Sequence, residues 1–308
     1  MRSVLFLCLV SCASAKPGVK PADTAGDSDT DTDTDADTDT DADTDSDADT
    51  DTTTSTDCYD WPYYGSILIS DADDIAEAAA YCEIEDSLTI SNTTLTSLAG
   101  LEHIRRVGLL NVSDNGELTD LDGLSGLEQI EGYLTVRDNA SLTDIDGLAL
   151  ATAENVSVQG NALLMQVDGL AGIREVDQLL IKGNSSLVQV DGLAGLVEAN
   201  DIEFQSNHLL DNIDGLSGLT SVTGNISISS NMVLTDLDGL ANATASPNWL
   251  YISNNWELTS IDGLANVPFV GDLNILENRA LCQSRVDAWV AGRNVNWVHT
   301  VTPNDPSC

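Results

Sequence analysis

Short alternations of apolar and polar residues recur along the chain at a nearly constant spacing. In each, two apolar residues flank one other residue and an Asn follows three positions later, as in Leu110-Asn111-Val112 with Asn115. Alternation with period two is typical of a short strand that buries one face. A first copy, Leu88-Thr89-Ile90, lacks the Asn, so the pattern predicts about nine strands. The Asn residues form a column: Asn115, Asn139, Asn161, Asn184, Asn207, Asn231, Asn255 and Asn278.

A second motif, an apolar residue followed by Asp-Gly-Leu, lies between the strands. Its glycines are 22 to 24 residues apart. A unit of this length cannot bury its apolar face alone, so successive units must stack. The sequence therefore predicts an all-β fold, a parallel β-helix or solenoid of about nine coils of 22–24 residues. The Asp residues of this motif form a second column: Asp122, Asp146, Asp168, Asp191, Asp214, Asp238 and Asp262.

Each column has an expected structural role. A buried Asn amide can satisfy the backbone groups that the bend after a strand leaves unpaired, and stacked coils repeat that contact as a ladder. The motif glycine is expected to supply backbone freedom at the second corner. Each Asp is expected to cap the turn after it by accepting backbone N–H bonds. The alternative for the Asp column is a rail that binds cations or a cationic partner.

The strands, the Asn column and the coil of about 23 residues resemble the receptor L-domain, a leucine-rich-repeat-like fold. The resemblance covers about residues 58–283 and is closest to the many-coil versions on bacterial surfaces. It implies a right-handed parallel β-helix. In insulin and growth-factor receptors this domain forms ligand-binding ectodomain lobes, but none of their ligand-contact residues has a matching motif in this chain.

The N-terminus has the features of an export signal. Arg2 precedes an apolar run, Val4–Val10, which is far shorter than the about 20 apolar residues that span a bilayer. Two cleavage sites fit a signal peptide at 1–15. We favour a lipobox that ends at Cys12, the lipidation site, over the A-x-A site that ends at Ala15. The chain is expected to be an outer-membrane lipoprotein at the cell surface or, alternatively, a secreted protein.

Residues 16–57 are expected to form a disordered stalk. Every odd position from 27 to 51 is Asp, which places thirteen like charges in a segment without large apolar side chains. Such a segment cannot bury enough surface to offset its chain entropy. Calcium loops need a turn Gly and ligands at defined offsets, which are missing here, so a solvated spacer is favoured over a metal site.

The folded part needs a cap at each end, because an open solenoid exposes its core. Short helices are expected over 72–81 and between Ser284 and Gly292. The predicted order after the stalk is an N-terminal cap at 58–87, the solenoid at 88–281 and a C-terminal cap at 282–308.

Four cysteines remain outside the leader. Pairing them across the solenoid would span about 40 Å of stacked coils, whereas the Cα atoms of a disulfide lie within about 7 Å. The local bridges Cys58–Cys82 and Cys282–Cys308 are therefore predicted.

Charge restricts the partners of the folded part. Residues 58–308 carry 8 Lys and Arg against 36 Asp and Glu, a net charge of −28 within the −40 of the whole chain. A surface of this kind repels phosphate groups, so nucleic acid is excluded and contact with a membrane is expected through the lipid anchor only.

No catalytic motif accompanies the repeat. His103, His208 and His299 are isolated, and the chain contains no phosphate loop, G-x-S-x-G or H-E-x-x-H. The acidic residues recur in every coil, whereas an active site should break the repeat at one place. We therefore expect neither an enzyme nor a cofactor or metal site.

The outward face of the predicted sheet is the candidate binding surface, because solenoids commonly bind ligands across such faces. We expect a receptor-like or adhesin-like protein with an unidentified protein or glycan ligand. The alternatives are a structural envelope or matrix component and, third, a polysaccharide-active β-helix enzyme. The candidate ligand residues are Arg137, Leu180, Lys182, Glu203 and Tyr251.

Overall fold

The computed structural model describes residues 58–59, 61–244, 247–298 and 304–308. These residues belong to one compact unit, Ser55–Cys308. The predicted signal peptide, the lipidation site Cys12 and the predicted stalk lie outside the described residues.

The described chain consists of strands, six 3-10 turns and two short helices. The helices are α1 (Ala72–Ala78) and α2 (Gln283–Ala291). The 3-10 turns coincide with the Asp-Gly-Leu motif in every copy except the one at Asp146. The strands are β1 (Ile67–Ile69), β2 (Glu83–Ser91), β3 (Arg106–Ser113), β4 (Gln129–Ile130), β5 (Tyr133–Arg137), β6 (Asn155–Gln159), β7 (Glu175–Lys182), β8 (Glu198–Gln205), β9 (Ser221–Val222), β10 (Asn225–Ser229), β11 (Trp249–Ser253), β12 (Phe269–Leu276) and β13 (Asn294–Val298).

All these strands belong to one parallel sheet. Its main path runs β1-β2-β3-β5-β6-β7-β8-β10-β11-β12-β13, while β4 pairs with β3 and β9 pairs with β8. The register joins equivalent positions of successive repeats, as in Leu110 beside Leu134 and Val112 beside Val136. The nine strands predicted from the alternation lie within β2, β3, β5, β6, β7, β8, β10, β11 and β12, so their parallel pairing is confirmed. The structure adds β1 and β13 at the two ends.

The core is built from columns of Leu, Ile and Val that repeat once per unit of 22–24 residues, the unit that we call a coil. In one coil, Ile226 and Ile228 on the strand and Leu234 and Leu237 after it are all fully buried. Burying a side chain of this size stabilises the fold by about 1.5–3 kcal/mol. Stacked coils therefore share one continuous core.

The chain turns after each strand through a residue in the left-handed region. This residue comes directly before the column Asn, as Ser230 does with φ 59°. Left-handed backbone costs a non-glycine residue roughly 1–2 kcal/mol, less for Asn and Asp. The sequence pattern did not reveal this corner, because its residue type varies: Asp114, Asp138, Gly160, Gly183, Ser206, Ser230, Asn254 and Glu277.

The motif glycines have a different role from the predicted one. None of the seven glycines in the Asp-Gly-Leu motif has a positive φ, so backbone freedom is not what the second corner requires. A Cβ on Gly123 would overlap the Leu98 carbonyl oxygen, and one on Gly215 would overlap that of Val190. Glycine is needed because successive coils approach each other too closely for any side chain.

The helices lie near the two ends of the sheet. Helix α1 begins with a capping box, in which the Asp71 carboxylate accepts from the N–H of Asp73 and Asp74. The helix stops three residues earlier than predicted, since Tyr81 forms a β-bridge with Tyr59. Ser284 does not cap α2, because that helix already begins after Cys282.

The expected Cys282–Cys308 disulfide is present, and Cys58 lies beside its expected partner Cys82. The Cα atoms of Cys58 and Cys82 are 5.2 Å apart, and those of Cys282 and Cys308 are 5.4 Å apart. Each pair fastens an end segment to the neighbouring coil. The second pair also positions residues 304–308 against the last coil.

The left-handed corner predicts an unusual effect of glycine. Ser230→Gly should raise the melting temperature, because it relieves up to about 1 kcal/mol of backbone strain at φ 59°. Ser217→Gly is the matched control, because Ser217 has φ −62° and glycine there should cost roughly 0.5–1 kcal/mol. Thermal denaturation of both variants measures the difference. Equal losses would contradict a strained corner.

Candidate functional site

The outward face of the sheet is a continuous surface made of the strand residues that alternate with the core. Its middle row follows the register from strand to strand, one residue from each coil. Most of these residues are small and polar. The row runs Thr89, Asn111, Thr135, Ser157, Leu180, Glu203, Ser227, Tyr251 and Asn274.

The five predicted ligand residues lie on this face in two neighbouring rows. Leu180, Glu203 and Tyr251 belong to the middle row, and Arg137 and Lys182 flank Gln159 in the row beside it. One strand, β6, separates Arg137 from Lys182, which places the two positions about 9.6 Å apart at the usual strand spacing.

Arg137 is already engaged with its own chain. Its guanidinium nitrogens lie 3.4 Å from the carboxylate oxygens of Asp114 and Asp138. All three side chains are about half exposed, and exposed pairs of this kind contribute about 0–1 kcal/mol. A ligand could therefore replace the two carboxylate contacts of Arg137 at little cost in free energy.

An aromatic cluster at the C-terminal end of the face was missed by the sequence prediction, apart from Tyr251. Trp249 lies on the same strand, with its ring centroid 5.1 Å from that of Tyr251. Asp272 pairs with Trp249 on one side and with Trp297 on the other. The spacing of two residues from Tyr251 was a usable signal for Trp249, whereas Trp297 lies on β13, which the repeat pattern does not mark.

The Asn column forms a hydrogen-bonded ladder through the interior. At Asn207, the side-chain oxygen accepts the N–H of Asn184 at 3.1 Å, and the amide nitrogen donates to the Ile181 carbonyl at 2.9 Å. The N–H of Asn207 donates in turn to the side chain of Asn231 at 3.0 Å. All eight column residues are fully buried. The ladder therefore links each coil to both of its neighbours.

Both ends of the ladder are closed by other residues. Thr93 donates its N–H to the Asn115 side chain, so the first coil receives the ladder without an Asn of its own. At the far end, Asn304 accepts the N–H of Asn278 at 3.1 Å and donates its amide to Gln283 at 3.0 Å. Asn304 follows no strand motif, and sequence reasoning therefore had no signal for it.

The Asp column does not cap the turns as predicted. Among the residues that the structure describes, no backbone N–H donates to the seven column carboxylates. In four of the seven copies the residue two positions earlier is the cap instead: Asp236 accepts the N–H of Asp238 at 3.1 Å, and Asn212 accepts that of Asp214 at 3.1 Å. The 3-10 turn begins at the column Asp, so its own N–H needs a partner.

Three of the seven column carboxylates, those of Asp122, Asp146 and Asp238, have a raised pKa. The charge of Asp120 is the main reason why the pKa of Asp122 lies above its ordinary value. Partial burial first, and then the neighbouring Asp residues, raise the pKa of Asp146 and Asp238. The ionised form of these three carboxylates therefore opposes folding at neutral pH.

An acidic groove of about 620 Å³ runs beside the sheet. Five carboxylate residues line it, namely Glu131, Glu154, Glu175, Asp177 and Glu198. Arg106 lies at one end, where its guanidinium contacts Glu131 at 2.6 Å and Glu83 at 2.7 Å.

The described residues contain no group of three or more His, Cys, Asp and Glu side chains placed to hold a metal ion. The Nε2 atom of His103 is buried without a hydrogen-bond partner, while His208 is exposed. His299 lies outside the described residues. No helix among those described is long and apolar enough to cross a membrane.

Comparison with known proteins gives no match: no protein-family model, curated protein or solved structure is significantly similar to this chain.

The ladder predicts a large effect of replacing one amide. Asn207→Ala should destabilise the protein by about 2–4 kcal/mol, since it leaves the Asn184 N–H and the Ile181 carbonyl buried without partners. Gln178→Ala, on the exposed face of β7, should change stability by less than about 0.5 kcal/mol. Denaturant unfolding measures both, and similar small losses would show that the ladder is dispensable.

Neutralising Asp238 should stabilise the fold. Because the pKa of Asp238 is raised on folding, its protonation favours the folded state, and this stability is lost as pH rises through the folded pKa. Asp238→Asn should therefore raise stability at pH 7 by about 0.5 kcal/mol or less, with no gain near pH 3.

The true cap should behave in the opposite way. Asp236→Ala should be less stable than Asp236→Asn by about 1 kcal/mol, because alanine removes the acceptor for the Asp238 N–H. If Asp238→Ala lost as much stability as Asp236→Ala, the column would be a set of turn caps after all.

Proposed function

We propose that this chain is a non-enzymatic binding protein of the cell surface, in which the parallel sheet closes into a right-handed β-solenoid of the receptor L-domain type. A lipid on Cys12 anchors it, and the acidic stalk holds the solenoid away from the membrane. The observation that carries the proposal is the division between the two faces of the sheet. The inward face supplies the ladder and the core, while the outward face is open and varied.

The variation falls where a binding surface would need it. Thr135, Ser157 and Ser227 represent the common small polar type of the middle row, whereas Leu180 and Glu203 depart from it. These departures contribute nothing to the Asn ladder or to the inward core. Residues that stability does not require are available for a ligand.

The charge and the cysteines agree with this role. A net charge of −28 on residues 58–308 disfavours nucleic acid and anionic membranes, which leaves a protein or a glycan as the ligand. The paired cysteines at both ends of the sheet suit an oxidising compartment outside the cytoplasm.

Anchoring is tested by fractionation and surface-protease shaving of cells that produce the native protein, Cys12→Ala or the control Cys8→Ala. Native protein and the control should stay with the membrane and be shaved from intact cells, while Cys12→Ala should be released or left unprocessed. Equal release of all three into the medium would show secretion and would refute the lipid anchor.

Binding is tested separately, with the full mature chain and labelled extracellular material from the producing organism. The proposal predicts saturable binding that falls at least tenfold in the triple variant Leu180→Ser, Lys182→Ser, Glu203→Ser. The control triple variant Ser125→Ala, Ala194→Ser, Ser217→Ala changes the exposed turns and should bind normally. Absence of saturable binding would favour the structural envelope component.

A further inference from the structure

We propose that the C-terminal end of the outward face binds a neutral polysaccharide chain on a platform made of Trp249, Tyr251, Asp272 and Trp297. This inference rests on the proposed binding function and adds a ligand class for a second part of the outward face, which lies beyond Leu180, Lys182 and Glu203. It uses the part of the face where three aromatic residues lie together on neighbouring strands.

The register sets the shape of the platform. Trp249, Asp272 and Trp297 are neighbours in one row across three strands, so the two Trp positions are about 9.6 Å apart at the usual strand spacing. Tyr251 extends the platform along β11, with its ring tilted by 36° against that of Trp249. Trp297 is 65% exposed and Trp249 is 38% exposed. The described residues therefore form an open shelf at this end of the face.

A sugar ring has the chemistry that this shelf can recognise. One face of the ring presents C–H groups, which pack against the negative face of an aromatic ring, and the edge presents hydroxyl groups. Asp272 lies between the two Trp residues and can accept hydrogen bonds from hydroxyl groups. Rings that are two strands apart favour an extended chain, because a single sugar reaches only one of them.

The carboxylate also separates a saccharide from a protein as the ligand. The centre of a protein interface is depleted of charged residues, because burying an unpaired charge is costly. Asp272 occupies the centre of this platform, where sugar hydroxyl groups could donate hydrogen bonds to its carboxylate in place of water. Asp272 and the net charge of −28 on residues 58–308 repel uronic acid, sulfate and phosphate groups, so the chain should be neutral.

The experiment measures binding of the full mature chain to soluble β-glucan, α-glucan, galactomannan and polygalacturonate by affinity electrophoresis and tryptophan fluorescence. At least one neutral polymer should bind, and Trp297→Ala and Asp272→Ala should each weaken its binding at least tenfold. Trp61→Ala is the matched control, because Trp61 is also exposed, at 49%, but lies before β1. All variants should keep the melting temperature of the native chain.

Four results would overturn the proposal. Absence of binding to every neutral polymer would rule out a neutral polysaccharide as the ligand, and so would tighter binding of polygalacturonate. Saturable binding of a protein in either case would still support the proposed binding function. Equal binding by Trp297→Ala and the native chain removes the platform. If sedimentation shows that Trp297→Ala alters only self-association, then the β13 end of the sheet is a contact between copies of this chain.

Discussion

The hydrogen bond that passes from one buried Asn to the next is the constraint on which the rest of the molecule depends. Each amide satisfies one N–H and one carbonyl of neighbouring coils, as Asn207 does for Asn184 and Ile181. A single unsatisfied partner in the interior costs about 1–3 kcal/mol. The Asn must therefore recur at the same point of every coil, which explains why repeat length stays within 22 to 24 residues. The same constraint requires a closed end, and the Cys282–Cys308 pair holds the segment that places Asn304 there.

The two corners of the coil follow from this stacking. A left-handed residue turns the chain so that the Asn side chain points inward, and the motif glycine allows the next coil to approach closely at the other corner. Together these two requirements restrict which residues can occupy the inward half of each coil. The outward half carries no such requirement, so residues such as Lys182 and Trp297 can vary with the ligand. Separation of scaffold from recognition surface is the physical basis of the proposed function.

Much of this arrangement was predictable from the sequence, because the period-two alternation occurs nine times and the column Asn occurs eight times. The role of the motif glycine was not predictable. A sequence shows that a position has no side chain, but it does not show whether the reason is a positive φ or close contact with a neighbouring coil. The role of the Asp column was also predicted wrongly. Each Asp has a carboxylate that could accept a hydrogen bond and a backbone N–H that needs an acceptor, and the sequence does not show which of the two groups takes part in the turn. Trp297 and Asn304 escaped prediction because both lie in the last segment, where no repeat motif marks the register.

Native-state hydrogen exchange of the backbone amides tests the central claim most directly. The ladder accounts for the stacking only if the N–H groups of Asn139, Asn184 and Asn231 exchange through global unfolding, with protection equal to the full free energy of unfolding. Exposed turn amides such as that of Gly116 should exchange far faster. If the Asn amides exchanged as fast as the turn amides, while the strand amides stayed protected, the ladder would not be the interaction that holds the coils together.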